Sequence, residues 1–404
     1  MENKIKENFP YLKNNPDVVY FDSAATSLKP QPVIDAVNYF YTHLSSNVNR
    51  GEYHSSQTTS ELFEDVREKV ANFFNIPKET VIFTKNASES LNLAATGFFQ
   101  EYLKEGDVIL LNEAEHASNI LPWFKVADKT GAEIEFIRLD QGKMDLNVLE
   151  SRLKKGNVKV LSIAHVSNVL GVIQDIQGMA DLVHRYDAYL CVDGAQAVGH
   201  FEIDLLDLDC DFYSFSAHKM FGPSGVGVLI GKKDLLEKMT PLHYGGGSNA
   251  RFNRDRNLTL KAIPYRFESG TPNIEGVLGF GAAIDFIESI GLEFISNHEK
   301  ELKDYLLEKL RTIEQIEVYN PYTDVGLVSF NVKGIFAQDV AHYLNHYGIS
   351  VRSGNHCSKL IDGVFSEEMS VRLSMSVYNT KDDIDRFIEV ISSITLEKTI
   401  DLYL

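Results

Sequence analysis

The sequence predicts an α/β protein: a mostly parallel sheet covered by helices, followed by a smaller α+β unit. Three observations predict it. From residue 81 to residue 231, short apolar runs rich in Val, Ile and Leu alternate with stretches of helical spacing. Most of these runs lack in/out alternation, as expected of parallel strands buried on both faces. Beyond residue 325 the pattern changes to strand, helix, strand, strand, helix.

Helical spacing first appears at Gln31–Ser45 and Ser60–Asn75, the second with Ser60 as N-cap ahead of Leu62, Phe63, Val66, Val70 and Phe73. Val81–Thr84 then reads as a strand and Ser88–Gln100 as a helix. Further strands are predicted at Val108–Asn112, Glu133–Leu139, Val158–His165 and Tyr189–Asp193. Phe212–Ser216 and Gly225–Ile230 flank a Gly/Pro turn. Tyr244–Arg266, with Gly245–Gly247 and little periodicity, reads as an exposed loop or hairpin excursion. A long helical region, Ile284–Gln315, leads to the second pattern: strand Gly326–Val332, helix Gln338–Tyr347, strands Ile349–Arg352 and Val371–Met375, helix Asp382–Ile394.

At 404 residues the chain is long enough for two or three domains and a full core. Its 39 Lys plus Arg against 57 Asp plus Glu give a net charge of −18, which argues against a nucleic-acid or anionic-membrane partner. No apolar run is long enough to span a membrane, and the N-terminus has no apolar signal core. Cys191, Cys210 and Cys357 are odd in number and fit no metal-knuckle spacing. A reducing, cytoplasmic setting is expected.

Several motifs fail. Gly225–Lys233 resembles a P-loop, but five residues separate Gly225 from Gly231 and Lys233 stands where Ser or Thr is needed. No GxGxxG opens a helix after an early strand, and HExxH is absent. His116, His165, His184 and His218 lack metal-ligand spacing, so no metal is expected.

What remains is a set of polar residues at the carboxyl ends of predicted strands, where open α/β sheets bind ligands. Asp193 ends Tyr-Leu-Cys-Val-Asp; alone it is as readily a turn cap. Lys219 follows another strand; alone it reads as a surface lysine. Ser88 is an N-cap or a phosphate donor at a helix N-terminus, and His116 by default a hydrogen-bonded loop residue. Together they match what pyridoxal phosphate (PLP) demands. A Lys forms a Schiff base with its aldehyde, an Asp keeps the pyridine nitrogen protonated, and a helix end holds the phosphate.

A series of ordered segments carries a family resemblance, running to Ser370-Val-Arg372 and Tyr378-Asn-Thr. They include Tyr20-Phe-Asp-Ser-Ala-Ala-Thr, Phe83-Thr-Lys-Asn-Ala-Ser-Glu-Ser, Glu115-His-Ala-Ser-Asn and His165-Val-Ser-Asn-Val-Leu-Gly171. Val192-Asp-Gly-Ala-Gln-Ala197, Ser216-Ala-His-Lys219, Arg266-Phe-Glu-Ser-Gly-Thr-Pro272 and Val351-Arg-Ser-Gly-Asn-His-Cys357 follow. The chain resembles class V aminotransferase-fold enzymes, and among them the SufS-like (group II) cysteine desulfurases. That resemblance implies aminotransferase fold type I, with a seven-stranded, mostly parallel sheet in a large PLP-binding domain (26–283). It also implies a small α+β domain (1–25 and 284–404) carrying the catalytic Cys.

By the resemblance, Lys219 carries the PLP, Asp193 pairs with the pyridinium nitrogen, Gln196 bonds the ring phenolate oxygen and His116 stacks on the ring. Ser88, Ser216 and His218 hold the phosphate, with Thr271 reaching in from the second subunit of a homodimer. Asn168 and Arg372, with Arg352, bind the substrate α-carboxylate, a task suited to the planar guanidinium fork. Cys357 decides the reaction. It lies in a polar segment that reads as exposed, with Arg352, His356 and Lys359 as candidate sources of positive charge, whereas Cys191 and Cys210 read as packing residues. In the family this Cys attacks the sulfur of bound L-cysteine, leaving alanine and an enzyme persulfide for a SufE- or SufU-type acceptor in Fe–S cluster assembly. Asn49, Tyr53, Ala117 and Asn355 depart from the family pattern, and bear on acceptor docking or on cysteine against L-selenocysteine. Two other readings stand beside this one: a selenocysteine lyase or other C–S lyase of the same fold, and a silent scaffold for a sulfur carrier.

Overall fold

In the computed structural model, which describes residues 5–360, 365 and 368–402, the apolar runs assemble into one central sheet. Its strands are β2 (Val81–Thr84), β3 (Val108–Leu111), β4 (Glu133–Phe136), β5 (Val158–Ala164), β6 (Tyr189–Asp193), β7 (Phe212–Ser216) and β8 (Gly227–Gly231); β1 (Val19–Tyr20) lies outside it. The order is β2-β8-β7-β6-β5-β3-β4, and β8 alone runs antiparallel to its neighbours. The five central strands β8, β7, β6, β5 and β3 are buried along their length apart from Lys159 and Tyr189, which is why they show no alternation. Helices cover both faces, with Ile274–Ile290 packed against Gln31–Tyr39 and His54–Phe73.

The excursion after residue 244 forms an antiparallel hairpin of β9 (Asn249–Phe252) and β10 (Leu258–Leu260). A second sheet, all antiparallel, has the order β11 (Ile316–Val318), β12 (Leu327–Val332), β15 (Ser370–Ser374), β14 (Arg352–Gly354). β1 pairs in parallel with β13 (Ile349–Ser350), bringing the N-terminal segment against this sheet.

Four expectations are corrected in detail. The helix expected from Ser60 begins six residues earlier, at His54. Ser60 is an interior residue whose hydroxyl donates to Ser56 O at 2.7 Å and accepts from Asn49 N at 2.8 Å, so it ties the helix to the segment before it and does not cap it. The helix expected from Ser88 starts at Ala87 with Asn86 as N-cap. The long helical region is two helices, Ile274–Ile290 and Leu292–Leu310, separated by Gly291 at φ 89°. The strand expected over Ile349–Arg352 divides, because Ser350 pairs with β1 while Arg352 pairs with β15.

Candidate active site

The carboxyl ends of β2, β3, β5, β6 and β7 open on one cavity of about 250 Å³. Around it stand Ser88, His116, Asn168, Asp193, Gln196, Ser216, His218, Lys219, Arg352 and Arg372. Ten of the expected site residues therefore meet at one place, contributed by both sheets. Thr271 does not. It lies on a separate surface cavity, where its hydroxyl accepts from Asn47 Nδ2 at 3.2 Å.

The floor of the cavity is electrostatic. Asp193, buried at the end of β6, accepts from Ala195 N at 3.0 Å. Burial raises its pKa while the Lys219 charge opposes the rise. Burial pushes Lys219 down to about 8, against the pull of Asp193. A half-buried lysine with a lowered pKa near a buried carboxylate is the arrangement for an amine that must react and an anion that must face a cation. Burial and the cationic neighbours Lys219, Arg352 and Arg372 lower His116 to about 4, so its ring is neutral. Its Nδ1 accepts from Ser118 N at 3.1 Å, which puts the ring proton on Nε2.

One wall is a helix N-terminus. Asn86 Oδ1 accepts from Glu89 N at 2.9 Å, and Ser216 Oγ accepts from Ala87 N at 2.7 Å. Ser88 Oγ meets Ser118 Oγ at 2.6 Å. Amides, hydroxyls and the helix dipole converge there as a phosphate requires. Gly227 permits the approach: a Cβ on it would stand 2.4 Å from the Asn86 carbonyl carbon.

The opposite wall comes from the smaller sheet. Arg352 and Arg372 are direct partners across β14 and β15. Like charges placed opposite each other repel, and an anion between them offsets the repulsion. Arg372 donates to Asn168 O at 3.0 Å and Asp22 Oδ1 at 3.3 Å, while its buried Nε has no partner among the described residues. Asn168 Nδ2 donates to His356 O at 2.8 Å and its Oδ1 accepts from Ser358 Oγ at 3.2 Å, so one amide N–H is left for a ligand.

Cys357 sits at the edge of this wall. It is half-buried rather than exposed, with Arg352 Nη2 3.7 Å from Sγ. His356 and Cys357 both adopt left-handed backbone angles, φ 52° and 62°. The turn is fixed by Asn168, by Ala117 N donating to Cys357 O at 2.8 Å, and by Asn355 Oδ1 accepting from Cys357 N at 3.1 Å. Such over-determination sustains a conformation that non-glycine residues rarely adopt. Of the three candidate charges beside the thiol, His356 drops out: burial and both arginines hold it near 3, hence neutral. Cys191 and Cys210 are buried and their thiols pushed up by burial, Cys210 to about 12.

Sequence reasoning missed Asn86, Ser118 and Asp22. Asn86, three residues before Glu89, carried an N-cap signature. Ser118 and Asp22 carried none, since their partners Ser88 and Arg372 are distant in sequence.

The donor set fits PLP: a half-buried Lys and a buried Asp, a polar helix N-terminus and two facing arginines. The profile of the aminotransferase class-V family matches residues 19–387. The chain belongs to that family. A probable cysteine desulfurase from Halalkalibacterium halodurans is 42% identical over 95% of each chain. The Haloferax volcanii cysteine desulfurase is 39% identical over 93% of this chain and 89% of its own. Among solved structures, an apo cysteine desulfurase from Thermococcus onnurineus superposes with TM-score 0.92 at 38% identity, covering 96% of this chain and 97% of that one. The cysteine desulfurase CsdA from Escherichia coli does so with TM-score 0.91 at 32% identity, over 100% and 99%. Within the class V family the chain groups with the cysteine desulfurases, which are PLP-dependent enzymes.

Proposed function

We infer that this cysteine desulfurase takes the sulfur of L-cysteine onto Cys357 and releases L-alanine. When bound, PLP withdraws electrons from the substrate α-carbon and so loosens the neighbouring C–S bond. Lys219 would hold the cofactor, Asp193 would keep a proton on its pyridine nitrogen, Gln196 would bond its phenolate oxygen, and His116 would stack on the ring, its Nε2–H available as a proton donor. Ser88, Ser216 and His218 take the phosphate, and Thr271 of a second subunit completes that grip. The paired Arg352 and Arg372, with the spare N–H of Asn168, orient the substrate carboxylate. Cys357 Sγ forms an S–S bond with the substrate sulfur as the C–S bond breaks, and the freed carbon takes up a proton to become the methyl group of alanine.

One observation carries this reading. Of the three thiols, Cys357 alone is half-buried, with the guanidinium of the cavity-lining Arg352 beside it, whereas Cys191 and Cys210 are buried in the core. The short segment around Cys357 supports the SufS-like group, with a SufE- or SufU-type acceptor and Fe–S assembly as the destination of the sulfur. The free cysteines suit a cytoplasmic enzyme; among the described residues no helix is long and apolar enough to cross a membrane. The test is product release from L-cysteine. Cys357→Ser is expected to bind PLP and L-cysteine but release no alanine above background, while Cys191→Ser and Cys210→Ser turn over. Unchanged sulfide release by Cys357→Ser defeats the persulfide role and favours a simple C–S lyase.

A further inference from the structure

Glu115 is a buried carboxylate that the reaction described above does not use. It is 1% exposed and lies beneath the cavity, one residue before His116. Three donors converge on it: Asn112 Nδ2 and Ala164 N (2.9 Å) on Oε1, and Asn119 Nδ2 (2.7 Å) on Oε2. The orientation of Asn112 is fixed, because its Oδ1 accepts from Ala114 N at 2.9 Å. Asn119 is in turn tied to β5, its Oδ1 accepting from Ser162 Oγ at 2.7 Å. Asn112, Asn119 and Ser162 are all buried. The carboxylate thus laces the whole 112–119 loop to the carboxyl end of β5, where Ala164 is the register partner of Asp193. Burial, reinforced by the Asp193 charge, raises Glu115 to about 7, so the group is held there against its own desolvation.

That loop contributes three parts of the site. His116 faces the cavity, Ser118 Oγ meets Ser88 Oγ, and Ala117 N bonds Cys357 O. We propose that Glu115 is a positioning residue: through its hydrogen bonds to Asn112, Asn119 and the β5 backbone it fixes the His116 ring over the Asp193–Lys219 floor. The inference rests on the role given to His116 above. Glu115 itself makes no hydrogen bond to Asn168, Arg352 or Arg372 among the described residues, and its loop meets the wall assigned to the substrate carboxylate only through the Ala117–Cys357 bond.

The experiment is steady-state kinetics with L-cysteine on the holoenzyme. Misplacing a reacting group by about an ångström costs up to roughly a hundredfold in rate. Glu115→Ala is therefore expected to lower kcat by roughly ten- to a hundredfold while KM for L-cysteine stays near the wild-type value. Glu115→Gln should recover most of the loss, since rotation of the Asn119 amide restores a donor–acceptor match and Ser162 Oγ can donate or accept. In a His116→Gln background most of the effect of Glu115→Ala should vanish, because the residue acts through that ring. Where Glu115→Ala yields no folded holoenzyme, Asn119→Ala removes one anchoring donor and takes its place in the same comparison. A kcat within twofold of wild type, equal losses for Gln and Ala, or full additivity with His116→Gln overturns the proposal. An unchanged kcat in His116→Gln itself defeats instead the role assigned to His116.

Discussion

Lys219 and Asp193 influence each other in opposite senses: each would be neutralised by burial, and each is drawn back toward its charged form by the other. An amine must be unprotonated to attack an aldehyde. With Lys219 lowered from the ordinary lysine range to about 8, the reactive form is scarce below that pH and dominant above it. Uptake of added PLP by the cofactor-free protein should therefore accelerate as pH rises through about 8; a rate independent of pH between neutrality and mild alkalinity would contradict this. Lys219→Ala should leave no cofactor fixed to this segment by borohydride, as read by peptide mass. At Asp193 the expected interaction with a ring cation is a charge-assisted hydrogen bond, roughly 1.5–3 kcal/mol. Asp193→Asn should fold, bind PLP and lose about ten- to a hundredfold or more in turnover, and near-wild-type kcat would exclude the role.

The start of the helix Ala87–Ala94 shows how a short element becomes a binding surface. Its first amide is satisfied by Ser216 from β7 and its third by Asn86, while Ser88 presents its hydroxyl toward Ser118 and the cavity. Ser216→Ala strands a buried N–H at a cost of about 1–3 kcal/mol. It should lower the melting temperature with or without PLP. Ser88→Ala removes no buried bond of the helix itself, and should weaken PLP retention while the cofactor-free protein melts as before. Equal melting shifts in both variants would show that Ser88 serves the fold and not the phosphate.

At the scale of the molecule, the two sheets are joined around the cavity by polar contacts. Gln196 Nε2 donates to Ala24 O at 2.8 Å, Arg372 reaches both Asp22 and Asn168 O, and the half-buried His200 meets the buried Glu299 at 2.8 Å. These contacts hold the thiol wall in register with the Lys219 floor. The family resemblance assigns Thr271 to a neighbouring subunit's site; within one chain it is exposed and bonded to Asn47, away from the cavity. A two-fold homodimer, in which this segment completes the neighbouring site, should sediment as a dimer at micromolar concentration. Thr271→Ala should then weaken PLP binding without altering the melting of the cofactor-free protein. A fully active monomer would refute a shared site.

Strand runs, the change of pattern after residue 325 and the strand-terminal Asp193 and Lys219 were legible because burial on both faces and the strand-end rule act locally in sequence. The stretch Tyr189–Asp193 coincides residue for residue with β6. The helix start at His54 was not legible, since its first turns are polar and carry no apolar period. The reversed direction of β8 was equally hidden, because a buried strand has the same apolar composition whichever way it runs. The residue types of the site came from the sequence; their electrostatic states came from the tertiary structure. The sequence offers His356 as a cation beside Cys357, and burial and both arginines make it neutral, whereas Arg352 Nη2 stands 3.7 Å from the thiol. Asp22 and Glu115 lie in segments that carry the resemblance but have no role assigned from sequence, and only packing shows the first bonded to Arg372 and the second bonded to Asn119 and the β5 backbone. The sequence by itself determined which chemical groups are present and the strands that present them. The fold decided which of them are desolvated, charged and within reach of one another, because those properties depend on neighbours hundreds of residues apart.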